Sequence, residues 1–249
     1  MLKKSAILLV LFLISSFAFA QDKPFQFTTT LPEQNTRALL FLDAGWGPST
    51  NNASAHRNFG LEWRFNPRWS VSTNANVMEA DSSTVFTGQA EIFYSFQQNS
   101  QRRFHLDLGS GMRFESQNHA VALFHVLSGW QTDSWLLQSN VLFEKANAPN
   151  RDPFDLIVSV GWMRHISSQF SVGVETIGQD LEGFWEQEEA EGGSRLLVGP
   201  SVHFDMGAWE AGVAGGYVFR PTFNRLNSSA DRPLGSNRTA IQFSICRVL

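Results

Sequence analysis

The stretch Phe104-His105-Leu106-Asp107-Leu108-Gly109-Ser110-Gly111-Met112-Arg113-Phe114 decides how the whole chain is read. Its apolar members, Phe104, Leu106, Leu108, Met112 and Phe114, share one parity, and His105, Asp107, Gly109, Gly111 and Arg113 share the other. Period 2 puts the two sets on opposite faces of a β-strand, and no helical period competes. An aromatic ring closes the apolar face at each end, ten residues apart. At about 3.3 Å per residue and a tilt near 45°, that span is roughly 23 Å, against an apolar band of about 25 Å in a membrane-spanning barrel.

The same pattern recurs outward from this stretch. Phe59, Leu61, Trp63 and Phe65 alternate with Asn58, Gly60, Glu62 and Arg64. Phe154, Leu156, Val158, Val160 and Trp162 alternate with Asp155, Ser159 and Gly161. The alternation predicts twelve strands: 36–46, 57–65, 69–78, 85–96, 103–115, 119–130, 134–145, 154–165, 169–179, 194–204, 208–220 and 238–249. Most reach the length of about 9–11 residues that a tilted strand needs to cross a bilayer.

The connections alternate in length. Short ones follow the even strands, at 66–68, 97–102, 131–133, 166–168 and 205–207; longer ones follow most odd strands, at 47–56, 79–84, 146–153, 180–193 and 221–237. The connection 116–118 is the short exception. An aromatic opens the strand after each short turn, at Trp69, Phe104, Trp135, Phe170 and Trp209. The intervals of 35, 31, 35 and 39 residues each hold two long strands, not the four short ones of a propeller blade.

No helix can take the place of these strands in a membrane. The most apolar region, Ala120 to Phe143, is broken by His125, Gln131, Thr132, Asp133, Gln138 and Asn140. A closed barrel is the remaining way to pair every backbone group in lipid. The first twenty residues read separately, as an export signal: Lys3 and Lys4, an apolar run Ala6 to Ile14, then Ala18-Phe19-Ala20 before a cleavage expected at Gln21. Residues 21–34 are then an N-terminal periplasmic segment and 35–249 the barrel. Loss of Lys3 and Lys4 leaves 17 basic against 23 acidic residues, a net of −6. That balance argues against nucleic acid as a partner. Cys246 has no second cysteine to pair with.

Aromatic residues fall at both ends of the apolar face. Beside the short turns stand Phe65, Trp69, Phe96, Phe104 and Trp130, and also Trp135, Trp162, Phe170, Phe204 and Trp209. Toward the longer loops stand Trp46, Phe59, Phe86, Phe114, Phe143, Phe154 and Phe219. Flat amphipathic rings are stable at headgroup depth. A secreted sandwich also alternates, but it has no need of aromatic rows in register at its strand ends.

With a signal sequence, long alternating strands, two aromatic rims and a final strand running to the chain end, the sequence resembles the bacterial outer-membrane β-barrel superfamily over residues 35–249. The resemblance implies an integral protein of the Gram-negative outer membrane, in contact with its lipid and lipopolysaccharide, with both barrel termini in the periplasm. It also implies that strand 238–249, with Ile241, Phe243 and Ile245, engages the barrel assembly machinery. The strand ends in Leu249, where that superfamily usually carries an aromatic.

If the aromatic faces meet lipid, the opposite positions line the interior. These are Asp43, Glu62, Arg64, Glu91, His105, Asp107 and Arg113, then His125, Glu144, Glu175, Arg195, His203 and Glu210. Asp155, His119 and His165 share that parity. A charged wall can select polar solutes; it can equally pair across the lumen and fill it. Twelve strands lie between a packed eight-stranded barrel and an open sixteen-stranded porin. Small inward residues such as Ser70, Ser72, Gly109, Gly111 and Gly173 leave room, which favours a narrow channel. Acids outnumber arginines, so neutral or cationic solutes are expected. An alternative is a barrel enzyme acting on envelope lipid through Ser201 and His203, although no orienting group or oxyanion site can be placed for them. A plugged structural or adhesion barrel is the other alternative. No cofactor or metal site is predicted, because the histidines lack ligand spacing. Glu182, Glu186, Glu188, Glu189 and Glu191 in the loop 180–193, and Arg220, Arg225, Arg232 and Arg238 at 220–238, read first as solvated surface. The alternative reading of the arginines is contact with lipopolysaccharide phosphates.

Overall fold

In a computed structural model the described residues are 38–48, 53–80, 83–96, 104–115, 119–146, 154–179, 181, 194–219 and 238–249. They form twelve strands. These are β1 (Ala38–Pro48), β2 (Ala53–Asn66), β3 (Trp69–Ala80), β4 (Ser83–Ser95), β5 (Phe104–Glu115) and β6 (His119–Gln131). The second half comprises β7 (Trp135–Ala146), β8 (Asp155–Ser167), β9 (Phe170–Gln179), β10 (Arg195–Asp205), β11 (Trp209–Phe219) and β12 (Arg238–Val248). Sequence neighbours pair antiparallel throughout. β1 also pairs with β12, from Leu39 opposite Val248 to Trp46 opposite Ile241, so the sheet closes into a barrel. Closure leaves no edge strand with unmatched backbone groups.

Strand number and order agree with the alternation in the sequence. The ends differ where polar residues misled it. The expected loop 47–56 is largely strand, with Gly47 opposite Ser54 and Pro48 opposite Ala53. The 79–84 connection likewise narrows, with Ala80 opposite Ser83. Backbone pairing continues beyond the apolar band because ladder hydrogen bonds do not require apolar side chains. The expected export signal 1–20, the segment 21–34 and the loop residues 182–193 and 221–237 lie outside the described residues.

Four of the short turns are each built by one side chain that accepts backbone N–H groups. Asn66 Oδ1 accepts from the amides of Arg68 at 2.8 Å and Trp69 at 3.0 Å. Thr132 Oγ1 accepts from those of Ser134 at 3.3 Å and Trp135 at 3.0 Å. Ser167 Oγ accepts from Gln169 N, and Asp205 Oδ1 from Gly207 N, with Gly207 at a φ of 80°. Local acceptors of this type favour turns over continued strand, and only glycine adopts the positive φ freely. The odd strands β3, β5, β7, β9 and β11 all open on the aromatics the sequence marked.

The rims face outward, and several of their rings pair across strands. At the short-turn end Trp69 meets Tyr94 with ring centroids 4.9 Å apart, Phe104 meets Trp130 at 6.5 Å and Phe170 meets Phe204 at 5.1 Å. Toward the other end Phe143 stands 6.1 Å from Phe124 and 5.7 Å from Phe154. Trp162 and Trp209 keep 46% and 42% of their surface exposed, so they project from the outer wall. Between the rims, the outward positions of the described strands carry no charged side chain. Arg57 and its ion-pair partner Glu79, with Lys145, stand toward the long-loop end, and Arg164 and Arg247 toward the short turns. On β8 the ring of Trp162 stands two residues inside Arg164, so the apolar boundary falls between them.

The barrel lumen as candidate functional site

Strand parity sets which positions face inward, and of the residues expected there Asp43, Glu91, Asp107, His125, Glu144, Glu175 and Arg195 are buried. The structure gathers several of them into pairs. Arg113 on β5 donates from Nη1 and Nη2 to both oxygens of Glu144 on β7, at 2.5 and 2.7 Å, and from Nε to Glu115 at 3.1 Å. Glu91 on β4 lies 2.6 Å from Nδ1 of His125 on β6 and accepts from Gln89 Nε2. The His125 ring stacks on Phe93 with centroids 5.8 Å apart. Around the barrel, His203 on β10 stands 3.4 Å from Glu175 through Nε2 and 3.4 Å from Glu210 through Nδ1. Asn58 Nδ2 donates to Asp43 at 3.2 Å, and His165 Nδ1 lies 2.8 Å from Ser171 Oγ. Charge-assisted bonds of this kind keep buried ions paired.

Other marked residues are not joined. His105 Nε2 and Asp107 Oδ1 are buried with no hydrogen-bond partner among the described residues. Ser201 Oγ is in the same condition, so the serine and His203 face inward side by side without a bond between them. The imidazole is instead engaged by two carboxylates, and no nucleophile–base pair is assembled there. Among the described residues no group of three or more histidine, cysteine or acidic side chains is arranged to hold a metal ion.

Two features of the wall went unmarked in the sequence. His56 is buried on the inner face, its ring lying over Gly45. Counting the parity of Glu62 back along β2 would have found it. The second is an apolar layer on what was expected to be a wholly wet side. Ile177, Leu197 and Val218, with Ala214 and Ala240, form one buried inward cluster; Val121, Leu123 and Ala146 form another. Leu197, Val218 and Val121 have no exposed surface. The signal was present as runs that break period 2, such as Leu196-Leu197-Val198 and Ala120-Val121-Ala122-Leu123-Phe124. Consecutive apolar residues mark a strand covered on both faces.

Closure, an uncharged belt between aromatic rims and a polar inner wall define the class: the chain has the fold of a twelve-stranded membrane-spanning β-barrel. Among solved structures it is similar to the NanC porin, with a TM-score of 0.61 and 12% identity, covering 84% of this chain and 100% of that one. It is also similar to the KdgM porin, with a TM-score of 0.58 and 9% identity, covering 85% and 99%. A second KdgM porin structure, in complex with disordered oligogalacturonate, gives a TM-score of 0.56 at 10% identity over 85% and 99%. No known protein family and no curated protein sequence matches the chain.

Proposed function

We propose that the protein is a narrow channel that passes small polar solutes, neutral or cationic, across the outer membrane. The observation that carries this reading is the inner wall, where carboxylates such as Asp43, Glu62, Glu91, Asp107 and Glu175 outnumber the arginines Arg64, Arg113 and Arg195. A wall with excess negative charge attracts cations and repels anions. Oligogalacturonate, recorded with the KdgM porin, is a polyanion. The wall described here suits the opposite charge. In the same reading outer-membrane lipid and lipopolysaccharide surround the belt, β12 engages the assembly machinery, and both barrel ends, which lie beside the short turns, face the periplasm.

A planar-bilayer recording under a potassium chloride gradient tests the proposal. The expected result is a conductance whose reversal potential shows preference for potassium over chloride. Anion preference, or no conductance from folded protein, overturns it. The second of those outcomes is what a closed structural barrel gives, a reading favoured by the fully buried inward side chains of Val121, Leu197 and Val218.

A further inference from the structure

One register row crosses nearly half of the inner wall. His105 on β5 stands opposite Gly129 on β6, and Gly129 opposite Gln138 on β7. Gln138 stands opposite Gly161 on β8, Gly161 opposite Glu175 on β9, and Glu175 opposite Gly199 on β10. Polar side chains therefore alternate with glycines, strand by strand. At Gly129 the recess is taken up by the His105 ring: a Cβ there would lie 2.0 Å from His105 Cε1.

The polar members of the row are incompletely bonded. His105 Nε2, Gln138 Oε1 and Glu175 Oε2 are all buried without a hydrogen-bond partner among the described residues. Asp107 Oδ1 on β5 and Asn140 Oδ1 on β7, on the same inner face, share that condition. Gln138 and Glu175 are 2% and 1% exposed, so bulk water does not satisfy them. Unmet bonding at buried polar atoms is costly, more so when the group is charged. The other Glu175 oxygen is held by His203 Nε2, which fixes the orientation of the carboxylate.

The unused bonding capacity has a definite chemistry. Ionised carboxylates only accept, and the amides of Gln138 and Asn140 present an acceptor oxygen in either rotation that suits the ligand. A complementary solute carries several N–H donors and, given the acids, a positive charge. We propose that Gln138 and Glu175, flanked by Asp107 and Asn140, form a recognition site for a small cation of guanidinium or primary-ammonium type. The proposal rests on the channel reading and names the solute class for it.

The test uses the full-length protein in planar bilayers with two cations, guanidinium, which has N–H donors, and tetramethylammonium, which has none. The wild-type channel should be blocked by, or pass, guanidinium in preference to tetramethylammonium. Glu175→Gln should weaken that preference about ten-fold, the loss expected for one charged hydrogen bond. Gln138→Leu keeps the charge, so it should reduce the guanidinium preference and leave the potassium-to-chloride ratio unchanged. That variant carries the test if Glu175→Gln does not reach the folded form, as judged by heat-modifiable electrophoretic mobility. A conducting wild type with no preference between the cations overturns this proposal and leaves the channel reading standing, as does a preference that both variants retain. A non-conducting wild type overturns the channel reading first and this one with it.

Discussion

Arg113 on β5 reaches over β6 to bond both carboxylate oxygens of Glu144 on β7, at 2.5 and 2.7 Å. The strand it crosses presents apolar residues beneath the bond, Val121 opposite Arg113 and Leu123 opposite Glu144. Arg113 keeps 12% of its side-chain surface exposed and Glu144 none. Glu144→Gln should therefore destabilise the barrel by about 3 kcal/mol, the low end for breaking a buried pair, because Glu115 remains as a partner. The double substitution Arg113→Met with Glu144→Leu removes both charges of that pair and should recover part of the loss, the remainder reflecting the bond that Glu115 loses with Arg113. Urea unfolding in lipid vesicles measures both; a double variant no more stable than the single one counts against the account.

Two inward glycines should differ in what an added methyl costs. At Gly60 a Cβ would lie 2.1 Å from Phe41 Cζ, the far end of a ring that can swing toward the lumen. At Gly199 it would lie 1.8 Å from the carbonyl oxygen of Gly215 and 2.3 Å from the Cα of Gly216, which are backbone atoms of β11. Overpacking usually costs about 1–3 kcal/mol. Gly60→Ala should fall at the low end and Gly199→Ala at or beyond the high end, read from unfolding midpoints. The reverse order would mean that the β10–β11 ladder yields more easily than the ring.

The outer belt predicts a dependence on depth. Val160 lies midway along β8 and faces outward, with Ile166 beyond the Trp162–Arg164 boundary on the same strand. Val160→Arg should cost about 2–4 kcal/mol in lipid and Ile166→Arg about 0–1 kcal/mol. Reversible folding into vesicles gives both values. Equal small penalties would show that the mid-belt face is wet.

Much of this architecture is legible in local sequence because the cue is local. Trp69, Phe104, Trp135, Phe170 and Trp209 mark the starts of β3, β5, β7, β9 and β11, and in four of the five cases an acceptor three or four residues earlier shapes the turn. His56 is not legible in the sequence because the polar run around it has no apolar partner face to announce a strand. The inward cluster of Ile177, Leu197 and Val218 is not legible because alternation that sends apolar residues outward has no place for them.

By itself the sequence determined which residues share a face, how many times the chain crosses and where the aromatic rims fall. Those properties follow from the two-residue repeat of an extended backbone, which each strand carries alone. Only the tertiary structure decided the register in which β1 meets β12, that Arg113 finds Glu144 rather than another acid, and that His203 sits between Glu175 and Glu210. Such contacts join side chains on different strands. They depend on the stagger and curvature of the closed sheet, which are set by all the strand registers together.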